Sequence, residues 1–445
     1  MRTPGGQMGR ELDVLLIGPV DQTGELASHL ERLALRVRII RTDTPPATTP
    51  RQYACSIVFA DDPSQFDDQL AATQRFAPGK RPTIAIGPSL LSTETTADAW
   101  LPEPALPAQI AARARALFRL FAMEAIAVRR AEGNALYGEK PGLGPRGETR
   151  SSVLYVGEAS PRFMSLMHIM EDSDVDVVAA FSSYSAFDYL HERNFDAVVL
   201  NAAGKADTAF TISSAMRRNA RLYHTPVLLM TPVADRETAD EAFARGVSDI
   251  ISDQTSDEEM KDRILALATE RRRRRDAKAA LEACREPRTL DIDTGLFHPG
   301  FLTSHLQDLI NANDQSALSF STLLMRAELP EGVDRPDDLS AEKARRQFAA
   351  MLRHLLRSED AACRLDDGTF IAVLPFTEED GVAAVAARVS AIAECTAFES
   401  EDPLHPFRLH VRSECIIPLV GETAEALIER GIRALQSRNS LAARA

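Results

Sequence analysis

The feature that most constrains the fold is a pattern that occurs twice in residues 1–270, in which short apolar segments alternate with helical segments. The segment Leu12–Ile17, LDVLLI, is typical, because it is almost entirely apolar and too short for a stable helix. Apolar strands of this kind must be covered on both faces, as they are in a parallel sheet flanked by helices. The pattern therefore predicts two α/β domains in tandem.

The spacing of the segments predicts the type of sheet. In the first domain we predict strands at Leu12–Ile17, 37–40, 56–59 and Thr83–Ile86, and helices at 26–35 and 107–131. In the second we predict strands at 152–156, Val175–Ala180, 197–200, 226–230 and 249–251, and helices at 162–171, 185–192 and 239–245. About 120 residues with five such strands are typical of a flavodoxin-like α/β fold.

Composition and pattern also indicate the domain boundaries. A stretch rich in Gly and Pro over 133–152 is typical of a linker. A long helical pattern over 256–286 carries five consecutive arginines, a run that favours a solvated helix face over an anion site. We predict an α/β domain at 1–132, a linker at 133–151, a second α/β domain at 152–270, a connecting helix at 271–288 and a third domain at 289–445.

The third domain mixes strands and helices in a different order. We predict strands at 318–325 and 407–417, helices at 341–356 and 381–393, and a hairpin around 366–369. This pattern indicates an α/β domain whose sheet contains at least one antiparallel hairpin.

Composition disfavours several classes of function. The net charge of −14 argues against nucleic acid as the main partner, because phosphate backbones attract clustered Lys and Arg. The five cysteines are scattered without a Cys-x-x-Cys pair, which indicates reduced thiols rather than a zinc site or a disulfide framework. No apolar run reaches the roughly 20 residues that span a bilayer. We expect a cytoplasmic protein without membrane insertion, metal or cofactor.

The first two domains resemble the receiver domains of response regulators. In that family an acidic pair after the first strand holds Mg²⁺, an aspartate after the third strand accepts the phosphoryl group, and a lysine follows the fifth strand. In the first domain Gly18-Pro19 replaces the acidic pair and Glu103 stands at the lysine position, while Asp61 is placed at the acceptor position. Without metal ligands, phosphorylation of Asp61 is not expected.

The second domain departs from the receiver pattern in the same places. Glu158 keeps one acid, Asn201 takes the acceptor position, Thr231 is retained and Asp253 replaces the lysine. Because an amide is a poor phosphoryl acceptor, the resemblance implies two degenerate receivers. We expect such domains to serve as docking or homodimerisation surfaces.

The third domain resembles the GGDEF family, the diguanylate cyclases. Its opening, DIDTGLFHP at 291–299, matches the family pattern except that His298 and Pro299 replace the usual Asn and Arg. The segment LLMRAE at 323–328 matches a strand that normally ends in metal-binding aspartates, and Arg326 replaces the first of them. A fixed positive charge at that position opposes Mg²⁺ binding, so the resemblance implies that metal-assisted catalysis is lost.

The signature turn of the family is also altered. Asp366 and Asp367 replace its two glycines, and Gly368 and Thr369 replace its two acidic residues, while Phe370 is retained. The two aspartates could be relocated metal ligands, although two acids in a turn are more often simply solvated. We predict that the hairpin is kept for its shape and has no catalytic residue.

The family's second, inhibitory site is retained. That site binds cyclic di-GMP through an R-x-x-D motif five residues before the signature turn, and Arg357 and Asp360 have this spacing. Arg388 matches the second ligand-binding arginine of the family. Paired N–H donors of guanidinium groups suit phosphate oxygens or a guanine edge. The alternative is a surface salt bridge, since the same motif recurs at Arg193/Asp196 and elsewhere.

Together these features resemble catalytically inactive receiver–receiver–GGDEF proteins. The resemblance implies a non-enzymatic cyclic di-GMP effector at a cell pole, which recruits the adaptor RcdA and the regulator CtrA to the ClpXP protease. Three alternatives stay open. They are a diguanylate cyclase with atypical active-site residues, a phosphorylated response regulator, and a module that binds no nucleotide.

Overall fold

The structure is a computed structural model, and it divides the chain into two compact units. It describes residues 12–40, 53–77, 79–89, 92, 94–135, 150–203, 206–233, 235–314, 318–328, 338–366, 368–398 and 408–442. One unit comprises Met1–Phe121 with Pro145–Asp276, and the other comprises Ala122–Gly144 with Ala277–Ala445. Within the described residues, no helix is long and apolar enough to cross a membrane.

The first sheet is parallel and has the strand order β2-β1-β3-β4-β5. Its strands are β1 (Leu12–Ile17), β2 (Leu35–Ile40), β3 (Cys55–Phe59), β4 (Thr83–Ile86) and β5 (Ala99–Leu101). The helices of this domain are α1 (Val20–Arg32), α2 (Pro63–Phe76) and α3 (Pro107–Asn134). The order 2-1-3-4-5 is that of flavodoxin-like proteins, so the predicted fold class is confirmed.

The second sheet is also parallel and has the order β10-β9-β8-β6-β7, the same arrangement. Its strands are β6 (Ser151–Val156), β7 (Val175–Ala180), β8 (Ala197–Asn201), β9 (Val227–Thr231) and β10 (Asp249–Ser252). The helices are α4 (Pro161–Glu171), α5 (Ser183–Glu192), α6 (Ala206–Arg218), α7 (Arg236–Ala244) and α8 (Asp257–Ala283).

Alternating side chains of the strands supply two cores on opposite faces of each parallel sheet. In β1, Val14 and Leu16 pack with Ile57 on one face, whereas Leu15 and Ile17 pack on the other. The second sheet is divided in the same way between two buried clusters. This two-sided burial is the physical reason that the strands are predominantly apolar.

The C-terminal sheet is antiparallel and has the order β12-β13-β11-β14. Its strands are β11 (Phe320–Glu328), β12 (Ala361–Arg364), β13 (Thr369–Pro375) and β14 (His410–Ile416). The helices are α9 (Pro299–Asp314), α10 (Asp338–Leu355), α11 (Glu379–Cys395) and α12 (Ala424–Ala442). Strand β11 runs three residues beyond its predicted end, because Arg326, Ala327 and Glu328 pair with β14.

The arginine run at 271–275 on α8 is less solvated than predicted. Arg275 lies 3.2 Å from an Asp196 carboxylate oxygen, and Arg273 lies 3.7 Å from one of Asp98. Burial lowers the pKa of Arg271 below its ordinary value. The run therefore helps to hold the N-terminal unit together and is not merely a solvated helix face.

A buried ion pair lies between β10 and α8. Arg263 donates to both carboxylate oxygens of Asp249, at 3.0 and 2.5 Å, and Gln109 of α3 donates to Asp249 Oδ1 at 2.5 Å. Burial by itself would raise the pKa of Asp249, but Arg263 and the other donors outweigh burial and hold that pKa below its ordinary value. The carboxylate therefore stays ionised in the folded protein.

We expect Asp249→Ala to destabilise the N-terminal unit by about 3–5 kcal/mol, because the buried Arg263 guanidinium loses its bidentate partner and keeps only Glu259 and the Ile250 carbonyl. The exposed pair between Arg193 and Asp176, which are 45% and 47% exposed, supplies the matched control. Asp176→Ala should cost about 1 kcal/mol or less. Urea unfolding of both variants measures the difference, and equal shifts of the midpoint would contradict the prediction.

Candidate functional site

The hairpin between β12 and β13 keeps its shape through a local hydrogen bond and a glycine. The Thr369 N–H donates to Asp366 Oδ1 at 3.1 Å. Gly368 has a φ of +93°, and a Cβ there would lie 3.0 Å from the Ala327 carbonyl oxygen. An L-residue would be strained in this conformation, so the turn needs glycine at 368 rather than at 366. Asp367 lies outside the described residues.

The Arg326 side chain extends to this hairpin from the end of β11. Its Nε donates to Glu328 Oε1 at 2.9 Å, and its Nη1 donates to Thr369 Oγ1 at 2.9 Å. The same Nη1 lies 3.9 Å from Asp366 Oδ1. The guanidinium thus lies between Glu328 at the end of β11 and the hairpin residues Asp366 and Thr369.

A second arginine, which the sequence did not single out, binds the same acid. Arg412 of β14 donates to the two carboxylate oxygens of Glu328 at 2.9 and 2.6 Å. Antiparallel pairing of β11 with β14 places Arg326 opposite Arg412, which explains why both reach Glu328. Two guanidiniums therefore neutralise this carboxylate. Within the described residues, no group of three or more His, Cys, Asp or Glu side chains is placed to hold a metal ion.

His298 takes a structural position at the start of α9. Its ring Nδ1 accepts from the Gly300 N–H at 3.2 Å, and the backbone N–H of His298 donates to the Thr289 carbonyl at 2.7 Å. Pro299 follows as the first residue of the helix, where its missing N–H costs no hydrogen bond. His298 thus supplies an acceptor for one N–H group in the first turn of α9, and Pro299 has no N–H group that needs one.

The Arg357–Asp360 segment forms a tight turn between α10 and β12. The Arg357 N–H donates to Asp360 Oδ2 at 2.8 Å, and the Asp360 N–H donates to the Arg357 carbonyl at 3.1 Å. Arg388 of α11 donates from Nη2 to the Leu355 carbonyl at 2.8 Å, two residues before Arg357. The structure therefore brings the three predicted ligand-binding residues to one end of α10, with Arg357 and Arg388 exposed.

Asp360 differs from a surface salt-bridge partner. It is only 6% exposed, and its Oδ1 has no hydrogen-bond partner among the described residues. Burial and the neighbouring Glu359 raise the pKa of Asp360 to about 7, against the lowering effects of Arg357 and Arg130. The carboxyl therefore binds the backbone of its own turn and titrates near neutral pH.

Arg130 of α3 is a further contributor to this turn that the sequence did not single out. It donates from Nη1 to the Ser358 carbonyl at 2.7 Å and from Nη2 to the Glu359 carbonyl at 2.5 Å. It lies in an alanine-rich helix more than 220 residues before the turn, and no motif marks it. Only the tertiary structure identifies it.

In the second α/β domain, Asn201 and Glu158 are linked by hydrogen bonds through Tyr155. Asn201 Nδ2 donates to the Tyr155 hydroxyl at 2.9 Å, and that hydroxyl donates to the Glu158 carbonyl at 2.9 Å. Thr231 is buried, and its carbonyl accepts from the Asp253 N–H at 2.9 Å. Asn201 therefore stands at the end of the third strand, where it was predicted.

The placement of Asp61 at the acceptor position was wrong. A Cβ added at Gly18 would lie 2.9 Å from the Phe59 Cβ, just as one added at Gly157 would lie 2.6 Å from the Asn201 Cβ. The strand registers agree that Phe59 and Asn201 are equivalent, because each follows the residue that pairs with the end of the first strand of its sheet. Phe59 thus occupies the acceptor position, and Asp61 is an exposed residue two positions further on.

Comparisons with known proteins are consistent with this architecture. No protein-family model matches the chain. The chain is 26% identical over 195 residues to the response regulator PleD of Caulobacter vibrioides, a match that covers 44% of this chain and 43% of PleD. The match thus spans less than half the length of that relative.

Two solved structures are similar to parts of the chain. The chain is similar to the GGDEF domain of DgcB from Caulobacter crescentus in complex with c-di-GMP, with 14% identity, a TM-score of 0.31, and coverage of 35% of this chain and 92% of that one. It is also similar to the chemotaxis response regulator CheY4 of Vibrio cholerae, with 20% identity, a TM-score of 0.26, and coverage of 27% and 99%. The strand orders show two flavodoxin-like parallel sheets followed by an antiparallel sheet.

The raised pKa of Asp360 predicts a pH-dependent stability. A carboxyl with a pKa of about 7 when folded and 3.8 ordinarily contributes stability that is complete below pH 3.8 and is lost as the pH rises through 7. We expect Asp360→Asn to remove this loss, so that the variant gains stability over the wild type between pH 4 and pH 8. Urea midpoints at several pH values measure the difference.

The exposed carboxylate of Asp366, in the same domain, provides the control through Asp366→Asn. A difference between Asp360→Asn and wild type that is constant from pH 4 to pH 8 would show that Asp360 does not titrate in this window.

Proposed function

We propose that this chain is a non-catalytic effector that binds cyclic di-GMP at the Arg357–Asp360 turn and Arg388. One observation carries the proposal. The guanidinium of Arg326 stands in the degenerate active site, bonded to Glu328 and Thr369, while the residues of the second site converge at the end of α10. Metal binding is opposed at the first site, and ligand binding remains available at the second.

The chemistry of the second site suits a cyclic dinucleotide. Arg357 and Arg388 are exposed, so their N–H groups are available to phosphodiester oxygens or to a guanine edge. The Oδ1 of Asp360 is a buried acceptor without a partner among the described residues, and such an atom carries a desolvation cost. A guanine edge offers two adjacent N–H donors that could satisfy this oxygen.

Loss of catalysis follows from the electrostatics of the degenerate site. A Mg²⁺ ion ligated by Glu328 would have to displace Arg326 and Arg412 from this carboxylate. Removal of one partner from such a charged network is costly, since it leaves the others unpaired. This supports a receptor rather than a diguanylate cyclase.

The proposed cellular role rests on resemblance. The combination of degenerate receivers, a degenerate GGDEF turn and a retained second site resembles PopA, the inactive paralogue of PleD. We propose by this resemblance that the chain acts at a cell pole and brings the adaptor RcdA and the regulator CtrA to the ClpXP protease. Ligand binding would act by linkage, favouring the conformation or assembly that binds the dinucleotide better.

We expect isothermal titration calorimetry to detect cyclic di-GMP binding by the wild-type chain, and Arg357→Ala and Arg388→Ala to weaken it about tenfold or more each. Each variant removes charge-assisted hydrogen bonds, which contribute about 1.5–3 kcal/mol. Arg193→Ala is the matched control, because Arg193 belongs to an R-x-x-D motif of the second receiver. Equal affinity of Arg357→Ala and wild type would refute the site.

We expect no cyclic di-GMP when the wild-type chain is incubated with GTP and Mg²⁺ and the products are separated by chromatography. The Arg326 guanidinium opposes the metal on which the cyclase reaction depends. Product above the level of a protein-free control would contradict the proposal and favour the alternative, a diguanylate cyclase with atypical active-site residues.

A further inference from the structure

Arg130 is unusual because its whole side chain is withdrawn from water. It is 0% exposed, and it is the largest fully buried side chain among the described residues. Burial lowers the pKa of this guanidinium to about 10, while the nearby Asp360 acts in the opposite direction. Arg130 is therefore still charged at neutral pH. Burying a charge is costly unless it is well bonded, so its contacts need an explanation.

The contacts of Arg130 converge on the middle of the Arg357–Asp360 turn. Its two terminal nitrogens donate separately to the carbonyls of Ser358 and Glu359, at 2.7 and 2.5 Å. Its guanidinium also lies over the Phe297 ring, with the central carbon 5.3 Å from the ring centroid. The planar fork of an arginine is suited to two adjacent acceptors, which a lysine cannot match.

This arrangement fixes the turn from its inner side. The orientation of two successive peptide groups is set by Arg130, while the Asp360 carboxylate holds the Arg357 N–H. The Arg357 side chain is exposed and so faces away from these buried contacts. The Arg357 side chain, which would meet a ligand, and Arg130, which holds the backbone, therefore lie on different sides of the same turn.

We propose that Arg130 is a positioning residue for the dinucleotide site. By bonding the Ser358 and Glu359 carbonyls, it holds the turn in one conformation before ligand arrives, so that Arg357 and Asp360 need not be ordered on binding. Preorganisation of this kind raises affinity without a direct contact to the ligand. This inference rests on the proposed cyclic di-GMP site, and it adds a residue from a distant helix.

The test compares two variants of Arg130 with a neighbour on the same helix. Arg130→Gln removes the charge and the fork, and Arg130→Lys keeps the charge but loses the paired donors. Arg129→Gln, next in sequence and partly buried, makes the same charge change without these bonds. In calorimetry with cyclic di-GMP we expect Arg130→Gln to bind about tenfold or more weakly, Arg130→Lys to be intermediate, and Arg129→Gln to stay within twofold of wild type.

Hydrogen exchange of the ligand-free protein supplies a readout that does not depend on binding. The amides of Arg357 and Asp360, both bonded within the turn, should exchange faster in Arg130→Gln than in wild type. The amides of β13 should be unchanged if the effect is local. A protein weakened as a whole would instead show faster exchange throughout this sheet.

The outcomes separate the two proposals. If wild type binds no cyclic di-GMP, the proposed function fails. Faster hydrogen exchange of the Arg357 and Asp360 amides in Arg130→Gln would still support the inference that Arg130 fixes the conformation of the turn. If wild type binds and both Arg130 variants bind equally well with unchanged turn exchange, the positioning role is overturned. Should Arg130→Gln fail to fold, Arg130→Lys decides the matter, and wild-type affinity in that variant overturns the inference.

Discussion

The structure depends on one physical constraint, which is that a guanidinium group withdrawn from water needs acceptors for most of its N–H groups. Arg263 meets it in the N-terminal unit by binding both oxygens of Asp249. Arg130 meets it in the C-terminal unit through its two terminal nitrogens, which donate to two backbone carbonyls, while its buried Nε has no partner among the described residues. In each case a long-range contact holds a helix against a strand end or a turn, so local geometry there follows from a distant side chain.

The same chemistry distinguishes two regions of the C-terminal domain. Arg326 and Arg412 share the Glu328 carboxylate, which places positive charge where a divalent cation would need oxygen ligands. Arg357 and Arg388 are exposed, and their donors remain accessible to an anion. Arginine therefore disfavours a cation beside Glu328, where the guanidiniums already bind the carboxylate. It suits an anion at Arg357 and Arg388, where the side chains are exposed.

Much of the fold could be predicted because burial imposes a pattern on short strands. Strands such as Leu12–Ile17 and Val175–Ala180 have the predicted bounds, since all but one residue of each is apolar, the exceptions being Asp13 and Asp176. Helix Pro63–Phe76 was missed because its sequence is mostly polar, and strand Ala99–Leu101 was missed because three residues give too little periodicity. Asp61 was misplaced because an exposed acid near a strand end resembles an acceptor until the register shows Phe59 there.

The sequence by itself determined the two parallel sheets, the hairpin at 366–369 and the position of Arg357 and Asp360 before it, because these depend on local periodicity and spacing. Only the tertiary structure decided that Asp360 is buried, with a pKa of about 7. It alone also brought Arg130 to Ser358, 228 residues away in the chain. The physical reason is that burial and hydrogen bonding between distant segments depend on how helices pack, and no short sequence pattern records that packing.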